Sequence, residues 1–78
     1  MVKRLHVEYH DAERILTECA FQVYNHTPWS IWVIVEPERM YFALQEDFFG
    51  VSKVVALCKN LNELNAFLEK KFLEEAEP

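Results

Sequence analysis

The segment Trp29–Val35, with the sequence WSIWVIV, constrains the fold more than any other stretch of the chain. Four of its seven residues are β-branched aliphatics and two are Trp, a composition that favours a strand over a helix. Alternate residues of a strand point to opposite faces. One face carries three aliphatic residues, Ile31, Val33 and Val35. The other face carries Trp32 and Ile34, so this strand needs apolar cover on both sides.

Length and composition limit how much cover the chain can provide. The chain has 78 residues, of which 51% are hydrophobic, which predicts one folded domain spanning residues 1–78 and excludes a disordered chain. The acidic residues near the C-terminus predict a helix end and tail at about residues 73–78. Net charge is −5, and no run of Lys or Arg exceeds two residues. Nucleic-acid binding is therefore not expected, because it needs clustered cations.

The cysteines and the apolar runs of the sequence indicate the cellular compartment in which the protein is expected. Cys19 and Cys58 are 39 positions apart and form no CxxC motif, which favours buried thiols in a reducing compartment. We expect Cys19 to lie on the apolar side of a helix. No apolar run reaches the roughly 18 residues of a membrane span, and the N-terminus lacks the apolar core of a signal peptide. A cytoplasmic protein that does not bind membranes is expected.

Periodicity predicts four strands and two helices. The strands are expected at residues 3–9, Trp29–Val35, 40–44 and Val51–Cys58, where β-branched and aromatic residues concentrate. Apolar residues at helical spacing predict one helix over residues 11–25, capped by Asp11 and stopped by Pro28. A second helix is expected to begin after Asn60, whose spacing from Glu63 resembles a capping box.

The turn at residues 36–39 predicts how the second and third strands pair. Pro37 suits the second position of a type I turn. The resulting pairs on one face are Val33–Phe42 and Ile31–Leu44. On the other face they are Ile34–Tyr41 and Trp32–Ala43, with Glu36 opposite Arg39 as an ion pair at the rim. A slip of one residue would move every side chain to the wrong face.

Residues 45–50 are predicted to form a connection between the third and fourth strands. Gly50 is the only glycine of the chain, so we expect a positive φ there. Phe48 and Phe49 are expected to plug the edge of the core.

These elements predict an α+β fold: a two-layer sandwich in β-α-β-β-β-α order. Its four-stranded sheet is mostly antiparallel, with two helices on one face. A right-handed crossover is expected to place the first strand beside and parallel to the second, giving the sheet order 1-2-3-4. In the alternative arrangement, the first strand pairs with the fourth.

Two helices on one face leave the second face of the sheet without cover. Trp32, Ile34 and Tyr41 lie there under the predicted register, and exposed apolar patches on small proteins mark interfaces. Phe21, on the polar side of the first helix, is a further candidate binding residue. We therefore expect a protein partner or a homodimer. The alternative is that a twisted sheet or the C-terminal segment buries these rings within one chain.

The sequence predicts no catalytic, metal or cofactor site, and we expect a non-enzymatic protein. His6, Glu8 and His10 would share one face of a strand, but their spacing is too wide for a regular strand to hold one zinc ion. A solvated strand face is the favoured interpretation. A small interaction or regulatory domain is the favoured function. The second hypothesis is an acidic inhibitor that covers a basic surface of a nucleic-acid enzyme.

Overall fold

The computed structural model describes the backbone of residues 1–76 and the side chains of residues 1–74. These residues form β1 (Lys3–His6), α1 (Tyr9–Ile15), α2 (Glu18–Asn25), β2 (Trp29–Val35), β3 (Met40–Phe48), β4 (Val51–Cys58) and α3 (Leu61–Ala76). The predicted α+β class is confirmed, with three helices in the described residues instead of two. The last two residues of the predicted acidic tail lie outside the described residues.

The sheet has the predicted order β1-β2-β3-β4, and β2 and β3 pair in the predicted register. The pairs are Ile31–Leu44, Trp32–Ala43, Val33–Phe42 and Ile34–Tyr41. The turn between the strands is closed by the Glu36 amide, which donates to the Arg39 carbonyl at 2.8 Å. The expected ion pair is also present, with 2.6 Å between Arg39 Nε and Glu36 Oε1.

The predicted parallel pairing of β1 with β2 is wrong, because β1 runs antiparallel to β2. A single helix over residues 11–25 would rise by about 20 Å and carry the chain to the far end of the sheet. The two shorter helices α1 and α2 instead return the chain to the end it left. His6, the last residue of β1, therefore pairs with Trp32, and the Val7 amide donates to the Ile31 carbonyl at 2.9 Å.

The break between α1 and α2 is held by side chains on both sides of it. Leu16 is extended, and the Thr17 hydroxyl caps α2 by accepting from the Ala20 amide at 3.3 Å. Asn65 of α3 spans the gap: its Oδ1 accepts from the Thr17 amide at 2.9 Å, and its Nδ2 donates to the Ile15 carbonyl at 3.3 Å. The interruption therefore leaves these backbone groups hydrogen-bonded.

The break also explains where Cys19 lies. Continuous helical spacing placed Cys19 on the apolar stripe, but α2 begins in a new orientation after Thr17. Cys19 is exposed and Ala20 is fully buried, so the prediction of two buried thiols is correct only for Cys58.

The core lies between the three helices and one face of the sheet. Ile31 and Leu44 contribute from the sheet and Leu64 and Leu68 from α3, all with fully buried side chains. The predicted cap of α3 is present, because Asn60 Oδ1 accepts from the Glu63 amide at 2.9 Å.

Two predicted element boundaries are wrong. β1 ends at His6, and the chain already enters α1 at Tyr9. β3 continues through the expected connection to Phe48, which pairs with Val51 across a two-residue loop. This hairpin leaves Phe48 and Phe49 exposed instead of plugging the core, although Gly50 has the predicted positive φ, at 81°.

Replacing Thr17 with Ala is expected to lower the free energy of unfolding by about 1–2 kcal/mol. The substitution removes the cap of α2 and a 2.7 Å hydrogen bond from the Thr17 hydroxyl to Glu69. Urea denaturation measures the loss. Thr17→Ser keeps the hydroxyl and serves as the control. Equal urea midpoints for the Ala variant and the wild type would show that the cap does not stabilise the break.

The buried thiol of Cys58 is expected to make the fold less stable in alkali. Burial, and secondarily the Glu63 carboxylate, raises the pKa of Cys58. An unfolded thiol ionises near pH 8.5, so above about that pH the unfolded chain binds fewer protons and the free energy of unfolding falls. The pKa of Tyr24 is raised mainly by burial and adds a similar fall at higher pH.

Urea denaturation between about pH 8 and pH 10 measures this slope. Cys58→Ala should reduce it, whereas the control Cys19→Ala removes an exposed thiol and keeps the buried one. An equal slope in the two variants would assign the alkaline instability to other groups.

Candidate protein-binding face of the sheet

The sheet register places one set of side chains on the face opposite the helices. They alternate with residues of the hydrophobic core along each strand, and a bulge in β4 shifts the alternation there. We call this surface the open face. Its members are Arg4, His6, Ser30, Trp32, Ile34, Tyr41, Ala43, Gln45, Val54 and Leu57.

Trp32 is partly covered by the polar residues of β1. The His6 ring meets it edge-to-face with centroids 4.9 Å apart, and the Arg4 guanidinium carbon lies 5.3 Å from its centroid. Its Nε1 donates to Ser30 Oγ at 3.0 Å. The indole is therefore half-buried, with its polar atom satisfied and its ring in a cation–π contact.

Tyr41 is held at the rim of the open face by the turn before β3. The Arg39 guanidinium carbon lies 4.8 Å from its ring centroid, and its hydroxyl donates to Glu36 Oε2 at 3.4 Å. The hydrogen bond with Glu36, and then its negative charge, raises the pKa of Arg39. One fixed ion pair thus orients the ring at this edge.

A groove of about 300 Å³ crosses the open face from the N-terminal segment to β4. It is lined by Val2, Arg4, Ile34, Tyr41, Ala43, Gln45, Val54 and Leu57. Leu57 is 63% exposed and Val54 50% exposed, so the β4 side of the groove is an apolar wall open to solvent. Gln45 supplies an amide among these apolar groups. This combination suits apolar side chains together with one polar group.

The structure brings three of the four predicted binding residues together. Trp32, Ile34 and Tyr41 share the open face, but polar neighbours cover both rings in part. The prediction that Ile34 lies uncovered is wrong, because its side chain is buried, at 6% exposed. Phe21 lies apart, because α2 packs it against the core on the helix side of the sheet. There its ring centroid is 5.3 Å from that of Tyr9 and 6.3 Å from that of Tyr24.

The sequence did not predict that Val54 and Leu57 lie on the open face. Strict alternation puts residues three apart on opposite faces of a strand. The ladder between β3 and β4 shifts between Leu44 and Gln45, which leaves Val55 as an extra residue in β4. This bulge turns both exposed apolar side chains to the open face. The two valines at residues 54–55 do not indicate in the sequence where this bulge lies.

His6, Glu8 and His10 do not share one face of a strand and form no metal site. His6 Nδ1 lies 3.6 Å from Glu8 Oε1, but β1 ends at His6 and His10 is in α1. Among the described residues, no group of three or more His, Cys, Asp or Glu side chains is placed to hold a metal ion. None of the described helices is long and apolar enough to cross a membrane.

Comparison with protein-family models, with curated proteins and with solved structures finds no match to this chain.

Removing the cation above Trp32 is expected to expose its ring. Arg4→Ala should shift the tryptophan emission to longer wavelength and lower the free energy of unfolding by about 0.5–1 kcal/mol. Fluorescence spectra and urea denaturation measure both effects. Lys3→Ala removes a neighbouring charge whose side chain points to the other face, and it should leave the emission unchanged. The same spectrum for Arg4→Ala and the wild type would contradict the contact.

Proposed function

We propose that this protein is a non-enzymatic protein-interaction domain, with a regulatory role, that binds a partner protein through its open face. The observation that carries the proposal is the exposed apolar wall of Val54 and Leu57 beside the groove that contains Ile34 and Ala43. Among the described residues, the helices pack on the opposite side of the sheet and do not cover Val54 and Leu57, which supports the proposal. Apolar patches of this kind are typical of interfaces.

The energy of binding is expected to come from the β4 side of the open face. Full burial of an aliphatic side chain is worth about 1.5–3 kcal/mol, so Leu57 and Val54 together support specific binding. Trp32 and Tyr41 are residue types that concentrate at interface hot spots. Their cations, Arg4 and Arg39, lie at the rim, where charges orient a partner more than they bind it.

The partner and the compartment are part of the proposal. Both cysteines of the chain are free thiols, which supports a reducing compartment such as the cytoplasm. A second copy of the chain is one possible partner for the open face, as the sequence predicts. Binding through apolar side chains should persist in about 0.5 M salt, where contacts between exposed charges are screened. The acidic-inhibitor hypothesis predicts loss of binding under those conditions.

Leu57→Arg is expected to weaken partner binding about 10-fold to 100-fold, because it places a charge in the apolar wall. Leu73→Arg is a matched control, since Leu57 and Leu73 are both 63% exposed and Leu73 lies on α3. Both variants should unfold at the wild-type urea midpoint. Proteins captured from cell extract in about 0.5 M salt are compared for the wild type and the two variants.

Loss of the same captured proteins in both variants, or in neither, would contradict binding through the open face. Sedimentation of the wild type and Leu57→Arg then distinguishes a second copy of the chain from a different partner protein. A wild type that self-associates while Leu57→Arg does not would identify the partner as a second copy.

A further inference from the structure

The loop of the β3–β4 hairpin places a Phe residue in a conformation with positive φ. Phe48 and Val51 pair, which leaves the two-residue loop Phe49-Gly50. The φ angles are 50° at Phe49 and 81° at Gly50, the signs of a type I′ turn. Asn-Gly is the favoured sequence for such a turn, whereas a bulky residue with positive φ is an outlier.

Phe49 is also the most exposed aromatic side chain of this tip. It is 91% exposed, and its neighbours Phe48 and Val51 are 64% and 67% exposed. The two Phe rings meet edge-to-face with centroids 4.4 Å apart, so they form one apolar projection. Backbone strain and exposed aromatic surface thus fall on the same residue, and such strain is typical of functional positions.

A concavity of about 450 Å³ lies beside this projection. It is lined by Glu46, Phe48, Phe49, Val51 and Lys53. Glu46 and Lys53 are cross-strand partners, so the concavity has an apolar wall and one charge of each sign. The Phe49 ring is therefore adjacent to a concavity that is bordered by opposite charges.

We propose that two copies of the chain associate through this hairpin tip about a two-fold axis. Each Phe49 ring enters the concavity of the other copy, and Glu46 of one copy faces Lys53 of the other. A two-fold interface requires a surface that complements itself. The tip meets this requirement, because its aromatic projection lies beside a concavity that carries one acidic and one basic residue. The contact leaves both open faces free, so this proposal does not depend on the function proposed above.

A second copy fits the tip better than a membrane surface does. Two carboxylates, Glu46 and Asp47, precede the aromatic pair, and the chain carries a net charge of −5. Anionic lipid headgroups would repel this tip. A hairpin tip buries less than a standard interface of about 1,600 Å², so the dimer is weak and depends on concentration.

Sedimentation across a concentration series up to about 1 mM tests the proposal in the range expected for weak association. The weight-average mass of the wild type should rise from 9.3 kDa toward twice that value. Phe49→Asn should stay at 9.3 kDa throughout. Because Asn-Gly suits the turn, this variant should also melt roughly 4–8 °C higher than the wild type in dilute solution.

Two charge variants test the rim of the concavity. Lys53→Glu should weaken association about 10-fold, because two acidic groups then meet at each side of the interface. Lys59→Glu changes an exposed lysine after the end of β4, outside the concavity, and should associate as the wild type does. Leu57→Arg on the open face should also associate normally, which distinguishes the tip contact from the proposed function.

A wild type that stays monomeric across the series would overturn the proposal, as would equal association of Phe49→Asn and the wild type. The last measurement is cosedimentation of the protein with phosphatidylcholine vesicles. A monomeric wild type that cosediments with them, while Phe49→Asn does not, would assign the tip to membranes and exclude the dimer.

Discussion

The side-chain amide of Asn65 is the contact on which the topology of this protein depends. It accepts from the Thr17 amide and donates to the carbonyls of Ile15 and Leu61, so one residue of α3 satisfies the backbone where α1 ends and α2 begins. Without partners, these groups would favour either a continuous helix or exposure of the break to water. The break returns the chain to the end of the sheet where β1 finished. The antiparallel pairing of β1 with β2 follows from that return.

The direction of β1 in turn decides the character of the open face. Antiparallel pairing places His6 opposite Trp32 and Arg4 opposite Ile34, so polar side chains cover part of the indole. The open face is consequently uneven. Its β1 side is covered by the Arg4 guanidinium and the His6 imidazole, whereas its β4 side exposes Val54 and Leu57. The helix break thus explains the polar cover on the β1 side, and the bulge in β4 explains the apolar surface on the other side.

Two features predicted correctly from sequence are governed by neighbouring residues. The β2–β3 register follows from a four-residue turn, and the start of α3 follows from Asn60 and Glu63. The errors arose where a distant residue or a single inserted residue decided the outcome. Asn65 lies 48 positions from Thr17, and the Val55 bulge breaks the alternation of β4. Phe48 was predicted to be buried from its apolar character, but the two-residue loop extends the hairpin beyond the core.

The edges of the sheet explain how a small protein can expose this much apolar surface without indiscriminate strand pairing. β1 and β4 are the edge strands. β1 has only four residues and carries Lys3 and Arg4, while β4 carries Lys53 and the bulge at Val55. Short length, charge and bulges are the devices that prevent another chain from extending a sheet. With backbone pairing disfavoured at both edges, the contacts proposed for this protein rest on side chains of the open face and the hairpin tip and not on the extension of the sheet.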